Sequence, residues 1–544
     1  MATKIVFGNG KVAWEAGSYH EFRSGITNPP VTADYGKLLI IDTGGFGSGG
    51  FGFGSGINGT IKNGIDSFVD RVRTPQQLQS LVRGGILYDI AYPLFAPAQG
   101  ANGVSEVVMV RAATTTPATI TFALTAASIV INPLDEGTIA NGEINTDDVL
   151  VKGFGVKMAA HPTEVGKYVF GFFIGKWKGL DGSSNEIGTP KAELVDAELI
   201  IETPGVGTTG ELEAWMKEDF TFKSTFRWAS TTGVGGDIVA DDLAGWGGSS
   251  DYVLATGGTQ TYSDSDLDAV IDKLNDISFM AILSDQWGAN ATGSKNTRLQ
   301  YYLESLSRFR RPMYVGGGID SAEFASVSIA AANYFDSRAA VVVHSGIGKN
   351  DTTVDGNIRR LPSIYHAAYV VGRTLGLPPQ VPVTSKTIRV DSILHKMDET
   401  DRRLALDNGV LHSFFDRDYG RIVVNMGINS MQSNEVVVDG KIIASHLISV
   451  ERIFTQLQTD IVISSKRGLL GDPNGVNRNT LTIADVITWT SAFLDSKRAT
   501  KQADNIILSY SNILVERNED AYEISHEFEP NSEINKLIFF SVIV

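Results

Sequence analysis

The sequence contains no cysteine among its 544 residues. A chain without thiols cannot form disulfides, use a thiolate nucleophile or build a zinc site from cysteine ligands. It also has no apolar run that reaches the roughly 18 residues of a membrane-spanning helix. The opening stretch, MATKIVFGNG, has no basic region followed by an apolar core, so we predict no signal peptide. These absences are compatible with synthesis in a reducing cytoplasm.

Positive charge is scarce as well. Lys and Arg total 46 and Asp and Glu total 62, so the net charge is 46 − 62 = −16. Nucleic acids and anionic membranes bind positive surfaces. We therefore predict no general nucleic-acid binding and no direct membrane insertion, although a local basic patch is compatible with this charge.

Catalytic and metal-binding motifs are missing from the sequence. It contains no GxSxG, no GxxxxGK[ST] and no HExxH motif, and its eight histidines do not follow metal-ligand spacing. His366, His395 and His412 fall in separate helical or loop contexts, for which a structural role is the simplest interpretation. We predict no catalytic residue, no metal site and no cofactor, and therefore no enzyme.

One glycine-rich stretch favours the alternative, a nucleotide-dependent α/β enzyme. Residues 45–50, GFGSGG, fit GxGxxG and follow a predicted strand, as the dinucleotide fingerprint requires. That fingerprint also needs a helix that begins inside the motif. Here further Gly and Phe residues follow, and no periodic apolar face precedes Thr74. A Gly/Phe-rich surface loop therefore explains the stretch better.

Strand and helix patterns alternate in two separate parts of the chain. Predicted strands are Lys37–Asp42, Val107–Arg111, Phe279–Leu283, Met313–Val315 and Ala339–Val343. Predicted helices begin at the Thr74-Pro75 cap, at the face formed by Leu267, Val270, Ile271 and Leu274, near Leu299 and near Ser321. This alternation predicts a parallel sheet that the earlier strands also join.

The segment between these parts has a different character. Residues 114–262 are rich in Thr, Gly and β-branched residues, with strand patterns at Ile120–Leu124, Val149–Val151, Tyr168–Phe173 and Glu198–Ile201. We interpret this segment as an inserted β-rich domain. In the last third we predict helices near 361–375, 398–408, 449–459 and 482–497, and strands at 421–425, 506–510 and 522–528.

The predicted fold class is therefore a multidomain α/β (α+β) protein. Its predicted parts are an N-terminal arm and linker (1–31), a first part of the α/β core (32–113), the β-rich insertion (114–262), a second part of the core (263–360), a C-terminal core domain (361–521) and a C-terminal strand arm (522–544).

The two chain ends carry the most unusual apolar patterns. The last predicted strand is apolar on both faces, with Leu537, Ile538, Phe539, Phe540, Val542 and Ile543. Such a strand must be covered on both faces. It is either the central strand of its own domain or an addition to the sheet of another subunit. The N-terminal run of Ile5, Val6, Phe7, Val12 and Trp14 presents the same alternatives, because a linker with Pro29 and Pro30 follows it.

A short basic cluster ends the helix predicted near 482–497. Lys497, Arg498 and Lys501 form this cluster in an otherwise acidic chain. The cluster is either a solvated helix C-terminus, where cations suit the helix dipole, or a docking site for an acidic partner surface.

Three stretches resemble the contractile phage tail sheath family (myovirus type). One is Leu78–Arg111, with LYDIAYPLF, a Gly/Asn loop and VVMVR. Another is Tyr365–Asn429, with HAAYVVGRTLG, SKTIRVDSI and GRIVVNMGINS, and the third is the closing YEISHEFEPNSEINKLIFFSVIV. About half of the chain is covered, mainly the two flanks. The β-rich middle resembles no particular member, and the corresponding region varies in the family.

The resemblance implies a tail-sheath-like core with extended strand arms. Sheath subunits form hexameric rings that stack helically around the tail tube protein and meet baseplate and tail terminator proteins. Their arms, here residues 1–23 and about 522–544, pair with strands of neighbouring subunits. The sheath then contracts and drives the tube through the host envelope. The resemblance also implies a place in the virion tail, assembly in the host cytoplasm, and Lys497, Arg498 and Lys501 as tube-facing candidates. The sheath of a headless contractile injection system is the alternative.

Overall fold

The fold was analysed in a computed structural model of the chain. The structure describes residues 5–6, 12–13, 36–42, 69–82, 85–112, 114–125, 127–135, 137, 140–145, 148–180, 193–233, 236–245, 252–261, 263–274, 279–284, 297–299, 302, 313–317, 324–350, 358–433, 435–438, 441–465, 482–498, 506–518 and 521–531.

The first described elements belong to the predicted N-terminal arm. Strands β1 (Ile5–Val6) and β2 (Val12–Ala13) pair antiparallel, with Ile5 opposite Ala13. The predicted N-terminal strand pattern is therefore present as a short hairpin within the chain.

The first part of the α/β core follows. Its elements are β3 (Lys37–Asp42), β4 (Val69–Val72), α1 (Pro75–Leu81), α2 (Ile86–Phe95) and β5 (Glu106–Arg111). The predicted cap is confirmed, because the Thr74 hydroxyl accepts a hydrogen bond from the Gln77 amide at 3.2 Å. Helix α2 contains Pro93 and continues to Phe95, because a proline in the last turn removes only one of its N–H donors.

The segment predicted as a β-rich insertion contains strands and three described helices. Its elements are β6 (Thr114–Thr116), β7 (Ile120–Ala123), β8 (Ser128–Pro133), β9 (Glu143–Ile144), β10 (Leu150–Lys152), β11 (Phe154–Ala160), β12 (Tyr168–Leu180), β13 (Glu193–Glu202), α3 (Thr209–Glu218), α4 (Phe220–Thr225), β14 (Phe226–Thr232), α5 (Ala240–Gly245), β15 (Val253–Leu254) and β16 (Thr259–Thr261). The four predicted strand patterns are all confirmed. The helices were not predicted, although Thr208 and Asp219 cap α3 and α4.

Aromatic rings form the core of this segment. Phe122, Phe172, Phe222 and Phe226 are fully or almost fully buried, and the Phe172 ring lies 5.2 Å from Phe222 and 5.4 Å from Phe226, between centroids. Because these rings come from strands and from α4, they bury the helices against the strands. The segment therefore has an aromatic core of its own.

The second part of the core restores the alternation of helices and strands. Its elements are α6 (Asp264–Lys273), β17 (Ala281–Ser284), β18 (Met313–Gly317), α7 (Phe324–Phe335) and β19 (Ala340–Val343). The predicted apolar face of α6 is confirmed, and Ser263 and Asp266 form a capping box at its start. The helix predicted at Leu299–Phe309 lies mostly outside the described residues.

The rest of the chain mixes short strands with longer helices. Its elements are β20 (Ile347–Asn350), β21 (Ile358–Leu361), α8 (Ser363–Leu375), β22 (Ser392–Ile393), α9 (Glu399–Asp407), β23 (Val410–Leu411), β24 (Ser413–Asp416), β25 (Arg421–Val424), β26 (Glu435–Val438), β27 (Lys441–Ser445), α10 (Ile448–Ser465), α11 (Ile483–Lys497), β28 (Ile507–Asn518) and β29 (Ala521–Pro530). Every helix predicted for this third is confirmed.

A seven-stranded sheet joins both parts of the core. Its strand order is β23-β19-β18-β17-β3-β5-β4, and every pair is parallel except β4 with β5 at one edge. The prediction that Lys37–Asp42 and Val107–Arg111 join this sheet is confirmed. Strands β6 and β16 pair antiparallel where the inserted segment leaves and returns.

Helices cover both faces of the sheet. Successive side chains along each strand point to opposite faces and belong to two different hydrophobic clusters. Leu38 and Ile40 face α2 and α8, whereas Leu39 and Ile41 face α6 and α7. The first cluster extends from Leu38 to Ile448, so one core spans the predicted domain boundary between residues 360 and 361. The proposed division into domains otherwise stays a prediction. No helix in the described part of the chain is long and apolar enough to cross a membrane.

Helices α2 and α8 approach closely at Gly372. A Cβ atom at this position would lie 2.6 Å from the Pro93 carbonyl oxygen and 2.7 Å from that of Leu94. Those oxygens belong to rigid helix backbone, so one helix must shift to accept a methyl group. We expect Gly372→Ala to lower the free energy of unfolding by about 1–3 kcal/mol despite the better helix propensity of alanine. Urea denaturation measures this. The matched change Gly210→Ala, where a Cβ meets only the Thr208 hydroxyl at 3.9 Å, should not destabilise the chain.

Candidate assembly surfaces

Strands β28 and β29 form a hairpin and are the longest described strands in the last third of the chain. Its register places Tyr510 opposite Phe528, Val515 opposite Ile524 and Glu516 opposite Glu523. Among the described residues this sheet has two strands, so each strand has one edge that faces away from the other. Long strands with such edges are templates for an added strand.

The inner face of the hairpin packs on the last two helices. Ile453 and Leu457 of α10 and Phe493 and Leu494 of α11 form a buried cluster with Ile507. Phe528 also contacts Phe454, with ring centroids 5.3 Å apart. The hairpin is therefore held from one side by a helix pair.

A buried ion pair joins these two helices. The Lys497 ammonium lies 2.6 Å from an Asp460 carboxylate oxygen, and the two side chains are 6% and 0% exposed. The Gln456 amide donates to the other Asp460 oxygen at 2.7 Å. The backbone continues the connection, because the Lys497 carbonyl accepts from Ile506 N at 3.0 Å, where the hairpin begins.

The fold places the residues of the predicted basic cluster in different environments. Lys497 is not a solvated cation, since its charge is paired with Asp460 inside the chain. Arg498 is exposed and lies 5.9 Å from the centre of the Tyr510 ring. Lys501 lies outside the described residues. Of the three tube-facing candidates, Arg498 is the one for which the structure describes an exposed side chain.

The predicted arms are described only in part. Ile5, Val6 and Val12 lie in the β1–β2 hairpin, and the structure describes their backbone pairing. Residues 522–530 of the predicted C-terminal arm belong to β29 and pair with β28 of the same chain, so any exchanged segment begins after them. The remaining predicted arm residues lie outside the described part of the chain, namely Phe7, Trp14, Leu537, Ile538, Phe539, Phe540, Val542 and Ile543.

Three histidines meet at the carboxyl ends of β19 and β23. His366 Nδ1 lies 3.0 Å from the His344 carbonyl oxygen, and its Nε2 lies 2.8 Å from the Ser413 hydroxyl. Because a carbonyl can only accept, His366 Nδ1 carries the proton and Nε2 accepts from Ser413. The Asn425 amide lies 2.9 Å from His412 Nε2. Sequence spacing did not reveal this cluster, because parallel strands bring together residues far apart in the chain.

Burial keeps these histidines neutral. It lowers the pKa values of His366 and His412 to about 4, and burial together with the neighbouring histidines lowers the pKa of His344 to about 3. Ser328 and His344 are in hydrogen-bond contact at 2.6 Å, a geometry that also activates nucleophiles. Both residues are only 1% exposed, so a substrate has no access to them. The cluster is a buried polar network.

A small cleft lies at the amino ends of β17 and β18. Its lining combines Met280 and Met313 with Arg338, Glu451 and Gln456. Doubly wound sheets bind nucleotides at the carboxyl ends of their strands, which is the opposite edge. The Gly45–Gly50 loop lies outside the described residues. Within the described residues no three His, Asp or Glu side chains are placed to hold a metal ion.

No protein-family model matches the chain, and no curated protein matches it. A sheath tail protein from Desulfitobacterium hafniense matches in structure with a TM-score of 0.51 and 12% identity, over 92% of this chain and 98% of that chain. A sheath tail protein from Listeria innocua matches with a TM-score of 0.49 and 14% identity, over 93% of this chain and 94% of that chain. The anti-feeding prophage helical sheath in its contracted state matches with a TM-score of 0.35 and 14% identity, over 54% of this chain and 78% of that chain. The chain has the fold of a tail sheath protein, as the resemblance predicts.

Proposed function

We propose that this chain, which has the tail sheath fold, is a structural subunit of a contractile sheath and not an enzyme. Its subunits would polymerise around a tail tube as a helical stack of hexameric rings, meet baseplate and tail terminator proteins, and contract to drive the tube through the host envelope. Such a subunit would assemble in the host cytoplasm and end in the tail of the virion.

The observation that carries the proposal is the β28–β29 hairpin. A sheet of two strands is only marginally stable without further partners. Here helices α10 and α11 hold one face, and among the described residues neither outer edge is paired, so we propose that a third strand adds there. A chain with such a hairpin and two apolar ends contains both the accepting sheet and the donated strand of a strand-exchange contact.

The donor segments follow from the apolar patterns of the ends. The C-terminal segment after residue 531 offers Leu537–Phe540 and Val542–Val544, which need cover on both faces. The N-terminal segment offers Ile5–Phe7, which joins the core through a linker. Insertion of either segment into the hairpin of a neighbouring subunit would link subunits while their cores move. For the tube contact we retain Arg498, because Lys497 is paired internally.

The same proposal covers a phage tail and a headless contractile injection system. Both need a sheath subunit with this fold, and the chain carries no residue that separates them. A capsid gene beside the gene for this chain would identify a phage.

Deletion of Ile534–Val544 tests the proposal. We expect the shortened chain to stay folded and soluble but to form no tubes, because β29 ends at Pro530 and the described residues of its core precede the deletion. Negative-stain microscopy detects tubes, and circular dichroism confirms folding. Tubes of normal length from the shortened chain would contradict strand exchange through this segment.

Point variants provide a matched control for the deletion. Leu537→Asp with Phe539→Asp introduces charge into the apolar strand and should block assembly, because a buried carboxylate is strongly unfavourable. Asn535→Asp introduces one such charge beside the apolar run and should leave tubes intact. A wild-type chain that forms no tubes with its tube protein would refute the function itself.

A further inference from the structure

His526 lies on the inner face of the β28–β29 hairpin, the face that packs on helices α10 and α11. Along β29 it alternates in step with Ile524 and Phe528, which pack against the two buried clusters formed with these helices. The His526 ring lies 5.9 Å from the Phe528 ring between centroids, and Phe528 contacts Phe454 of α10 at 5.3 Å. A titratable ring is therefore part of the aromatic contact between the hairpin and a helix.

One nitrogen of this histidine is buried without a hydrogen bond. Among the described residues, no group donates to His526 Nδ1 or accepts from it. The neutral ring can place its proton on Nε2 and leave Nδ1 as a lone pair, whereas the charged ring carries a proton on both nitrogens. A proton on Nδ1 would be a buried donor without an acceptor, in addition to a buried charge. The packed hairpin therefore favours the neutral ring.

The opposite strand is irregular at the same point. The register of the two strands shifts between Ser511 and Leu514. Two residues of β28, Asn512 and Ile513, therefore face His526 alone. Asn512 has a φ of 52°, in the left-handed region that is unfavourable for residues other than glycine. Because a bulge of this kind interrupts the ladder of a strand pair, the hairpin depends here on its packing against the helices.

Charged neighbours do not explain the environment of His526. The titratable and charged side chains on β29 and on the elements packed against it are Tyr522, Glu523, Glu527 and Glu529 of β29, Tyr510, Glu516 and Arg517 of β28, Glu451, Arg452 and Asp460 of α10, and Asp485, Asp495, Lys497 and Arg498 at α11. The buried carboxylates of α10 have partners elsewhere, because Asp460 pairs with Lys497 and Glu451 accepts from Ser445 N. Burial lowers the pKa of His526, and no charge within the described part of the chain adds to this effect.

We propose that His526 is an acid-sensitive switch of the β28–β29 hairpin. When its ring takes up a proton, the hairpin detaches from helices α10 and α11, and the sheet edge that would accept a neighbour's strand is lost. The link to assembly rests on the proposed function, because that function assigns the accepting edge to this hairpin. Detachment of the hairpin is a property of the single chain and can be measured without assembly.

The direction of the pH dependence follows from the burial of the ring. A histidine exposed to water has a pKa of about 6.5, and burial lowers the pKa of His526 in the packed hairpin. In the window below pH 6.5 the detached hairpin therefore binds a proton that the packed hairpin does not bind. Packing is complete above about pH 6.5 and weakens as the pH falls, by up to about tenfold in the equilibrium constant for each pH unit.

Hydrogen exchange of the full-length chain, kept below the concentration for tubes, measures detachment. The variant His526→Phe keeps a ring beside Phe528 but cannot titrate. After correction for the intrinsic effect of pH on exchange, the protection of the β28 and β29 amides in this variant relative to wild type should rise roughly tenfold between pH 7 and pH 5. The matched control His412→Gln removes a buried histidine beside the seven-stranded sheet, and the same ratio for its hairpin should not rise.

The same variants connect the switch with assembly. Between pH 7 and pH 5, the concentration that the wild-type chain needs for tubes should rise roughly tenfold. The concentration that His526→Phe needs should change by less than about threefold, because its hairpin stays packed on the helices. Negative-stain microscopy of a dilution series at each pH measures both values.

The outcomes separate the switch from the function. Equal loss of hairpin protection in the wild-type chain and in His526→Phe overturns the switch and leaves the function intact. Retained protection in the variant, together with wild-type loss of tubes at pH 5, overturns the link to assembly. If His526→Phe misfolds by circular dichroism at pH 7, His526→Gln replaces it with the same expectation. If the wild-type chain forms no tubes at pH 7, the function is refuted, and hydrogen exchange still decides on the switch.

Discussion

Replacement of Lys497 by methionine should lower the free energy of unfolding by about 3–5 kcal/mol. The substitution leaves the Asp460 carboxylate, which is fully buried, without the cation that lies 2.6 Å away. Methionine fills much of the lysine volume, so the loss reports the uncompensated charge and not a cavity. Because Lys497 also adjoins the start of β28, we expect faster hydrogen exchange in α11 and the hairpin than in the seven-stranded sheet.

Two variants make this result specific. Lys176→Met breaks an ion pair of similar length, 2.9 Å to Glu198, in which the side chains are 54% and 49% exposed. We expect it to cost at most about 1 kcal/mol, because water screens exposed pairs. The double change Lys497→Met with Asp460→Asn removes the stranded charge and should recover most of the loss. Equal effects of Lys497→Met and Lys176→Met in urea denaturation would contradict a buried pair.

Mild acid should destabilise the chain through its buried histidines. An unfolded histidine has a pKa of about 6.5, whereas those of His366 and His412 in the fold are about 4 and that of His344 is about 3. At pH values between the folded and the unfolded pKa, the unfolded chain binds protons at these histidines that the folded chain does not bind. Stability is therefore complete above pH 6.5, falls as the pH is lowered towards 4, and loses about 3 kcal/mol for one such histidine.

The slope of stability against pH measures this effect. Each buried histidine contributes up to about 1.4 kcal/mol per pH unit in this window. We expect His412→Gln to reduce the slope by about one proton, because glutamine can still accept from Asn425 but does not titrate. Urea denaturation at several pH values between 4 and 7 gives the slope. An unchanged slope in this variant would show that His412 is protonated equally in both states.

Local patterns in the sequence were enough to predict most elements of this fold. The Thr74 cap and the apolar face of α6 depend on neighbouring residues, and the structure has both where they were predicted. The alternation of strands and helices predicted the parallel sheet, because connections between parallel strands need a crossover. The short helices α3 and α4 were not predicted. The Thr and Phe residues of α4 have strong strand propensity, and the composition of the surrounding segment indicated strands, although Thr208 and Asp219 cap the two helices.

Contacts between residues far apart in the sequence were not predictable from local patterns. The bridge between Thr387 and Val423 depends on strand register, and no local pattern encodes it. The histidine cluster arises because β19 and β23 lie in one sheet, although their positions differ by about seventy residues. The burial of Lys497 depends on the packing of α10 against α11. Both interpretations of the basic cluster, a solvated helix C-terminus and a docking site, placed that lysine on the surface.

The sequence by itself determined the class of this protein. Its lack of cysteine, its negative charge, the alternation around a β-rich insertion and the apolar ends excluded thiol chemistry and pointed to a chain that assembles. Long-range packing fixed what no local pattern showed. It set a two-stranded hairpin on a helix pair and placed Lys497 in the interior. The physical reason is that periodicity fixes which face of an element is buried, whereas only packing fixes which elements share that face.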